Sequence, residues 1–227
     1  MTAAKRARLP RAVGDEAKGQ RREQILAAAK RVFAATGYHA TTMADVADAA
    51  GVSYGSIYWY FDSKDALFHA LMDSEERALR RHIDVTLARL GAGAARNTET
   101  VFRASVRATF EFFEADRDVV KLLFRDSLVL GERFDRHLAG IYEGFIADIE
   151  KTIAAAQAGG HVIDAPPRMI AFSVAALISQ LALRRLATDD GMPAGVVADF
   201  VVTLLLDGLR PRTARVANAT KRGERKP

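Results

Sequence analysis

The stretch Ala50-Gly51-Val52-Ser53 constrains this chain more than any other, because it separates two helical patterns that are each too short to stand alone. On its N-terminal side, Thr41-Thr42-Met43-Ala44-Asp45 reads as a helix start, a threonine cap with an acid three residues on. Met43, Val46, Ala47 and Ala50 then form an apolar face, with Asp45 and Asp48 turned outward. Gly51 ends that helix and Ser53 caps the next. Two short helices joined by a tight, glycine-bearing turn make a helix-turn-helix layout. A preceding helix is predicted from about Arg21, with its stripe at Ile25, Leu26, Ala29, Val32 and Phe33 and its stop at Gly37.

The segment after the turn concentrates rings. Tyr54, Tyr58, Tyr60 and the only tryptophan, Trp59, fall within seven residues. At about 100° per residue, Ile57 and Phe61 face the preceding helix, with Tyr54 and Tyr58 flanking them. Gly55, Ser56 and Trp59 fall on the far side, with Tyr60 at one edge. An indole pointing away from the only available core needs something to cover it. Asp62 or Ser63 caps a further helix, long and predicted to reach about Leu90.

Beyond a flexible break at Gly91-Ala92-Gly93-Ala94, helical periodicity recurs near 98–115, 118–128, 134–157, 166–187 and 194–208. No run alternates with period two, so the chain reads as all-α. The organisation expected is a basic disordered arm (1–20), a helix-turn-helix domain (21–68), a helical regulatory and dimerisation domain (69–210) and a basic disordered tail (211–227). With no cysteine, the chain has no disulfide or thiolate site, which fits a reducing cytoplasm. The apolar run Met169–Leu183 reads as too short and too polar for a bilayer span.

Charge is unevenly placed. The net +5 divides into +4 over residues 1–24, +6 over residues 210–227 and −5 between them. Residues 25–68 carry Lys30, Arg31 and Lys64 against Asp45, Asp48, Asp62 and Asp65. A polyanion would have to be attracted largely by the tails, and Lys18, Arg21 and Arg22 are closest to the first helix. The five histidines are scattered, and no i, i+4 metal pair, glycine-rich phosphate loop or nucleophile elbow is present. No enzyme, metal or cofactor is expected.

From Arg21 to Met72 the chain resembles the TetR family of bacterial transcriptional regulators. The residues carrying the resemblance are Gly37-Tyr38, Thr41 to Ala47, Ala50 to Ser53, Ile57 to Phe61 and Ser63 to Leu67. It implies a homodimer that binds a pseudo-palindromic duplex, each recognition helix (about Tyr54 to Tyr60) entering a major groove. Gly55 permits close backbone approach, Ser56 offers a hydrogen bond, and Trp59 and Tyr60 offer flat apolar surface. Tyr58, Thr42 and Lys64 match the family's phosphate contacts. Tyr54 and Tyr58 are alternatively half-buried packing residues, and Thr42 alternatively only a cap.

The remaining two-thirds match only the family's general plan. Segments 166–187 and 194–208 resemble its dimer-forming helix pair. Phe110, Phe113, Phe124, Tyr142 and Phe145 either form core or line an apolar effector pocket. Arg125 could anchor a carboxylate or pair with a nearby acid, and Gln180 is the polar exception on an apolar helix. The function expected is a cytoplasmic repressor released from its operator by a small apolar or amphipathic ligand. The alternative is a DNA-binding dimer without a small-molecule ligand, acting structurally or through a protein partner.

Overall fold

The computed structural model describes residues 11–94, 97–125, 132–188 and 191–209, without the side chains of 11–15, 124, 125, 132–135, 187 and 209. Among the described residues every regular element is a helix: α1 (Arg11–Thr36), α2 (Met43–Ala50), α3 (Tyr54–Ile57), α4 (Lys64–Ala88), α5 (Thr98–Ala115), α6 (Arg117–Val120), a π-helical turn (Lys121–Arg125), α7 (Glu132–Ala158), α8 (Pro167–Ala187) and α9 (Ala194–Leu209). The chain divides into two compact units, and the boundary falls inside α4, between Ser74 and Glu75.

The first unit is built on a ring cluster. Phe33 stacks on Tyr38 at 5.7 Å between centroids and meets Phe68 edge-on at 5.4 Å. Ile25, Val46, Ile57, Leu67 and Leu71 are fully buried. At roughly 1.5–3 kcal/mol for each large apolar side chain, this burial holds helices too short to persist alone. The expected caps form. Thr42 and Asp45 make a complete capping box at the start of α2. Gly51 lies at φ +63°, and the Val52 N–H reaches the Ala47 carbonyl at 3.0 Å, closing α2 in a Schellman turn. Gln24 of α1 donates to the Ala50 carbonyl at 2.7 Å and ties α1 to that turn. Ser63, rather than Asp62, caps α4, accepting the Ala66 N–H at 3.1 Å.

Three expectations are corrected here. The first helix begins at Arg11, ten residues before the predicted start, so residues 11–20 of the expected arm are helical. Gly14 and Gly19 masked good helix formers there (Ala12, Glu16, Ala17, Lys18). The recognition segment is shorter than predicted: α3 spans four residues, and Tyr58 to Tyr60 continue as a turn whose Tyr60 N–H reaches the Ile57 carbonyl at 3.0 Å. The exclusion of a bilayer span on length also fails, because α8 is long and apolar enough to cross one by length and composition. Core helices pass the same test, and α8 buries Ile170 and Val174 against Ile153 of α7.

The second unit pairs α5 with α9 and α7 with α8. Val106 and Phe110 of α5 pack on Val197, Ala198, Val201 and Val202 of α9. Ile146 of α7 packs on Ala171 and Ala175 of α8, where alanines permit close approach. The predicted helix at 118–128 is replaced by α6, with Val119 and Val120 buried, and the π turn, with Leu122 buried; residues 126–128 lie outside the described set. The tail after 209 also lies outside it.

Gly51→Ala forces a Cβ into the left-handed region, at a cost of about 1–2 kcal/mol. A lowered chemical-denaturation midpoint with unchanged helical circular dichroism is the expected outcome.

Candidate nucleic-acid interface and effector cavity

Ile57 and Phe61 anchor the segment after the turn, with 0% and 4% of their surface exposed. The Arg22 guanidinium lies 5.2 Å from the Phe61 ring centroid. Ser53 accepts the Ser56 N–H at 3.1 Å, and their hydroxyls meet at 2.6 Å. With the inner face pinned, the helical turn carries the rings outward. Trp59 is 87% exposed, Tyr54 58% and Tyr58 39%. The two tyrosines brace one another, hydroxyl to hydroxyl at 3.0 Å and ring edge to ring face at 5.2 Å. The Tyr54 hydrogen bond, and then desolvation, hold the Tyr58 phenol above its ordinary pKa, so it remains a neutral donor. Tyr60 is half-buried.

Gly55 is exposed, and a Cβ built there would meet nothing within 4 Å. The chain's own packing therefore does not demand glycine here; the open space lies on the outer face. An open groove of about 600 Å³ runs along this surface, lined by Lys18 and Arg21 of α1, the turn Gly51–Ser53, Ser56, Trp59 and Tyr60. The early start of α1 thus brings Lys18 beside the exposed indole. The sequence gives charge to this region, but only the helical continuation shows where it goes.

Two expected phosphate contacts are already engaged. Thr42 is exposed, yet its hydroxyl donates to Asp45 at 2.7 Å and accepts the Asp45 N–H at 3.2 Å. The hydroxyl and the Thr42 N–H together hold the Asp45 carboxyl below its usual value. Lys64 turns back on its own unit: its ammonium donates to the carbonyls of Tyr38 (2.8 Å), His39 (3.3 Å) and Thr41 (2.7 Å), 4.4 Å from the Tyr38 ring centroid. An ammonium has three protons, and all three are placed. Lys64 therefore fastens the loop between α1 and α2. Spacing along α4 does not encode this inward turn.

In the second unit, Phe113, Tyr142 and Phe145 line an apolar chamber of about 130 Å³ with Leu79, Leu138 and Ile178. A second chamber of about 350 Å³ shares Thr109, Phe145, Ile149 and Ile178 with it and continues past Arg80, Asp84 and Asp148. A third hollow of about 360 Å³ shares Phe102 and Thr152 with the second. Phe110 belongs to the α5–α9 core instead, because it sits on the face of α5 that meets Val201. Gln180 is exposed on the outer face of α8, in line with Met169, Phe172 and Ser173; its neighbour Ser179 lines the chamber. The side chains of Phe124 and Arg125 lie outside the described residues. Among the described residues no cluster of three metal-ligating side chains is found.

Arg80 lines the second chamber, over the ring of Phe145, which belongs to both. It donates through Nε to Glu76 (2.9 Å) and through Nη1 to Asp148, with its guanidinium 4.4 Å from the Phe145 centroid. Burial disfavours its charge, but these hydrogen bonds outweigh burial and raise its pKa.

A pinned short helix presenting an exposed indole, a bare glycine and braced tyrosines beside basic side chains defines a helix-turn-helix DNA-binding regulator. Comparison with known proteins agrees. Residues 25–71 match the family model for bacterial regulatory proteins of the tetR family. The transcriptional regulator HbdR of Aromatoleum sp. (strain CIB) is 30% identical over 207 residues, covering 88% of this chain and 85% of that protein. The chain belongs to the TetR family. The transcriptional activator FasR of Mycolicibacterium smegmatis is 38% identical over 112 residues, a stretch that spans only 48% of either protein. The structure of the regulator FadR from Bacillus subtilis, in complex with stearoyl-CoA, superposes with a TM-score of 0.72 at 18% identity, over 83% of this chain and 99% of that one. These relatives are regulators of transcription rather than enzymes.

Lys64→Met leaves three carbonyls without their donor, so a loss of about 1–3 kcal/mol in urea unfolding is expected. An unchanged midpoint would contradict the fastening role.

Proposed function

We propose that the protein is a homodimeric, cytoplasmic repressor that binds a pseudo-palindromic operator and is released by a small, largely apolar effector. The observation carrying the DNA-reading part is the 87% exposure of Trp59 in the turn that follows α3, between the buried Ile57 and Phe61. Gly55 and Ser56 approach base edges, Trp59 and Tyr60 cover thymine methyls and sugars, and the Tyr54–Tyr58 pair, which shares one hydrogen bond, offers its remaining phenol proton to a phosphate. Thr42 lies at the α2 N-terminus, where a phosphate is favoured by the unpaired backbone N–H groups. Lys18 and Arg21 supply charge that the acidic reading head lacks.

Dimerisation is supported by α8 and α9. Met169 and Phe172 on one, and Val196, Phe200 and Leu204 on the other, are each at least half exposed. Exposed apolar residues on both helices fit a four-helix interface between two copies. The effector part rests on the joined chambers. An effector that favours a state with α4 displaced would spread the reading heads beyond one turn of DNA, about 34–36 Å. FadR's complex with stearoyl-CoA supports an apolar-bodied effector by analogy of fold alone. FasR's description as an activator favours a second reading, in which the same head recruits rather than blocks transcription.

Selection of bound sequences from random duplexes tests the proposal. A palindromic motif is expected for the native chain and a relaxed or lost motif for Trp59→Ala, whose fold should be intact; salt-dependent binding with no motif would contradict it. On the selected duplex, Lys18→Gln/Arg21→Gln should reduce the slope of log affinity against log salt by about 2 per protomer. Phe200→Glu should shift the molar mass in light scattering from dimer to monomer.

A further inference from the structure

The chambers in the second unit have an unusual hydrogen-bonding polarity. Four hydroxyls face them, and each has spent its proton on its own helix: Ser105 on Val101 O (2.9 Å), Thr109 on Ser105 O (2.9 Å), Thr152 on Asp148 O (3.1 Å) and Ser179 on Ala176 O (3.1 Å). What remains toward the cavity is oxygen lone pairs. The backbone N–H groups of the lining helices are likewise committed. Two carboxylates, Asp84 and Asp148, stand on the wall of the second chamber. Asp148 is held by Arg80 and, at 3.6 Å, by Lys151. Asp84 is exposed and accepts no bond among the described residues. The cation on that wall, Arg80, is engaged by Glu76 and Asp148. The Tyr142 hydroxyl is a further group on the chamber lining.

A carboxylate or phosphate would therefore meet acceptors and two like charges, and could gain Arg80 only by breaking an existing ion pair. A group rich in donors meets the reverse. Arg80 itself shows what the place accommodates: a delocalised cation over the Phe145 ring with a carboxylate beside it. Phe145 and Ile149 belong to both chambers, so a molecule with its polar end there can run its body into the apolar chamber lined by Phe113 and Tyr142.

We propose that the effector is an apolar molecule bearing a protonated amine, its body in the apolar chamber beside Phe113 and Tyr142 and its ammonium against Asp148 and the Phe145 ring, in the seat Arg80 now occupies, with Asp84 on the same wall. This rests on the ligand-responsive reading above and gives that ligand its chemical class. Displacing Arg80 would also open its bridge from α4 to Asp148 of α7, so occupancy of the cavity and the position of α4 within this unit are linked.

Calorimetric titration of the full chain with 4-phenylbutylamine, 4-phenylbutan-1-ol and 4-phenylbutyrate separates the possibilities, since the three share one body and differ in the end group. The amine should bind at least about tenfold more tightly than the acid, with the alcohol between them. Asp84→Asn should bring the amine close to the alcohol. Arg80→Gln, checked for native helical content, should tighten the amine several-fold by vacating the seat. Parity of amine and acid, or a preference for the acid that Arg80→Gln abolishes, would overturn the proposal and make Arg80 an anion clamp, leaving a ligand-responsive regulator intact. No binding of any of the three would overturn both readings.

Discussion

A helix of four residues cannot hold its own shape, since nucleation costs more than one hydrogen-bonded turn returns. α3 keeps its place because Ile57 and Phe61 are buried in the first unit while Ser53 fixes the turn before it. Every outward feature follows from that anchor. With Ile57 fixed, Trp59 must project, Tyr54 and Tyr58 must lie side by side, and Gly55 must present bare backbone. Lys64 contributes from the other side by gathering three carbonyls of the loop that leads into α2. The reading surface is a consequence of a small core rather than of helix propensity.

The second unit poses a different physical problem. Its helices bury their faces against one another yet leave joined chambers, lined by aromatic and branched side chains with hydroxyls whose protons are already placed. Open clefts of this kind leave apolar surface in water, and a ligand that covers it recovers burial energy. Arg80 sits where that recovery would be felt, on α4 and bound to α7, and α4 is the one continuous element that belongs to both compact units. A modest differential affinity between two states of such a helix suffices to shift a population.

Much of the first unit is legible from sequence because its signals are local. The Thr42–Asp45 box, the left-handed Gly51 and the Ser53 cap each involve residues three or four apart, and each forms as read. Long-range outcomes are less legible. Lys64 looks like a free cation at a helix start, but its partners lie more than twenty residues earlier in the chain. The second unit hides more. α8 is apolar nearly all round, so its own periodicity does not say which face meets α7. Gln180 therefore reads as a pocket residue, although it is Ser179 that turns inward. Phe110 and Phe113 are three residues apart on one helix, yet one meets α9 and the other the chamber; only the neighbours decide which.

Trp59 is the only tryptophan, so the emission of the native chain reports on the reading surface alone. Acrylamide, a neutral quencher that DNA charge does not repel, measures how open that indole is. Titration with a duplex that binds tightly tests the central claim most directly. The account predicts a red-shifted, readily quenched indole in the free protein that becomes shielded in step with binding. Saturated binding with Trp59 still as quenchable as in the free protein would contradict it, because the DNA would then lie on some other face.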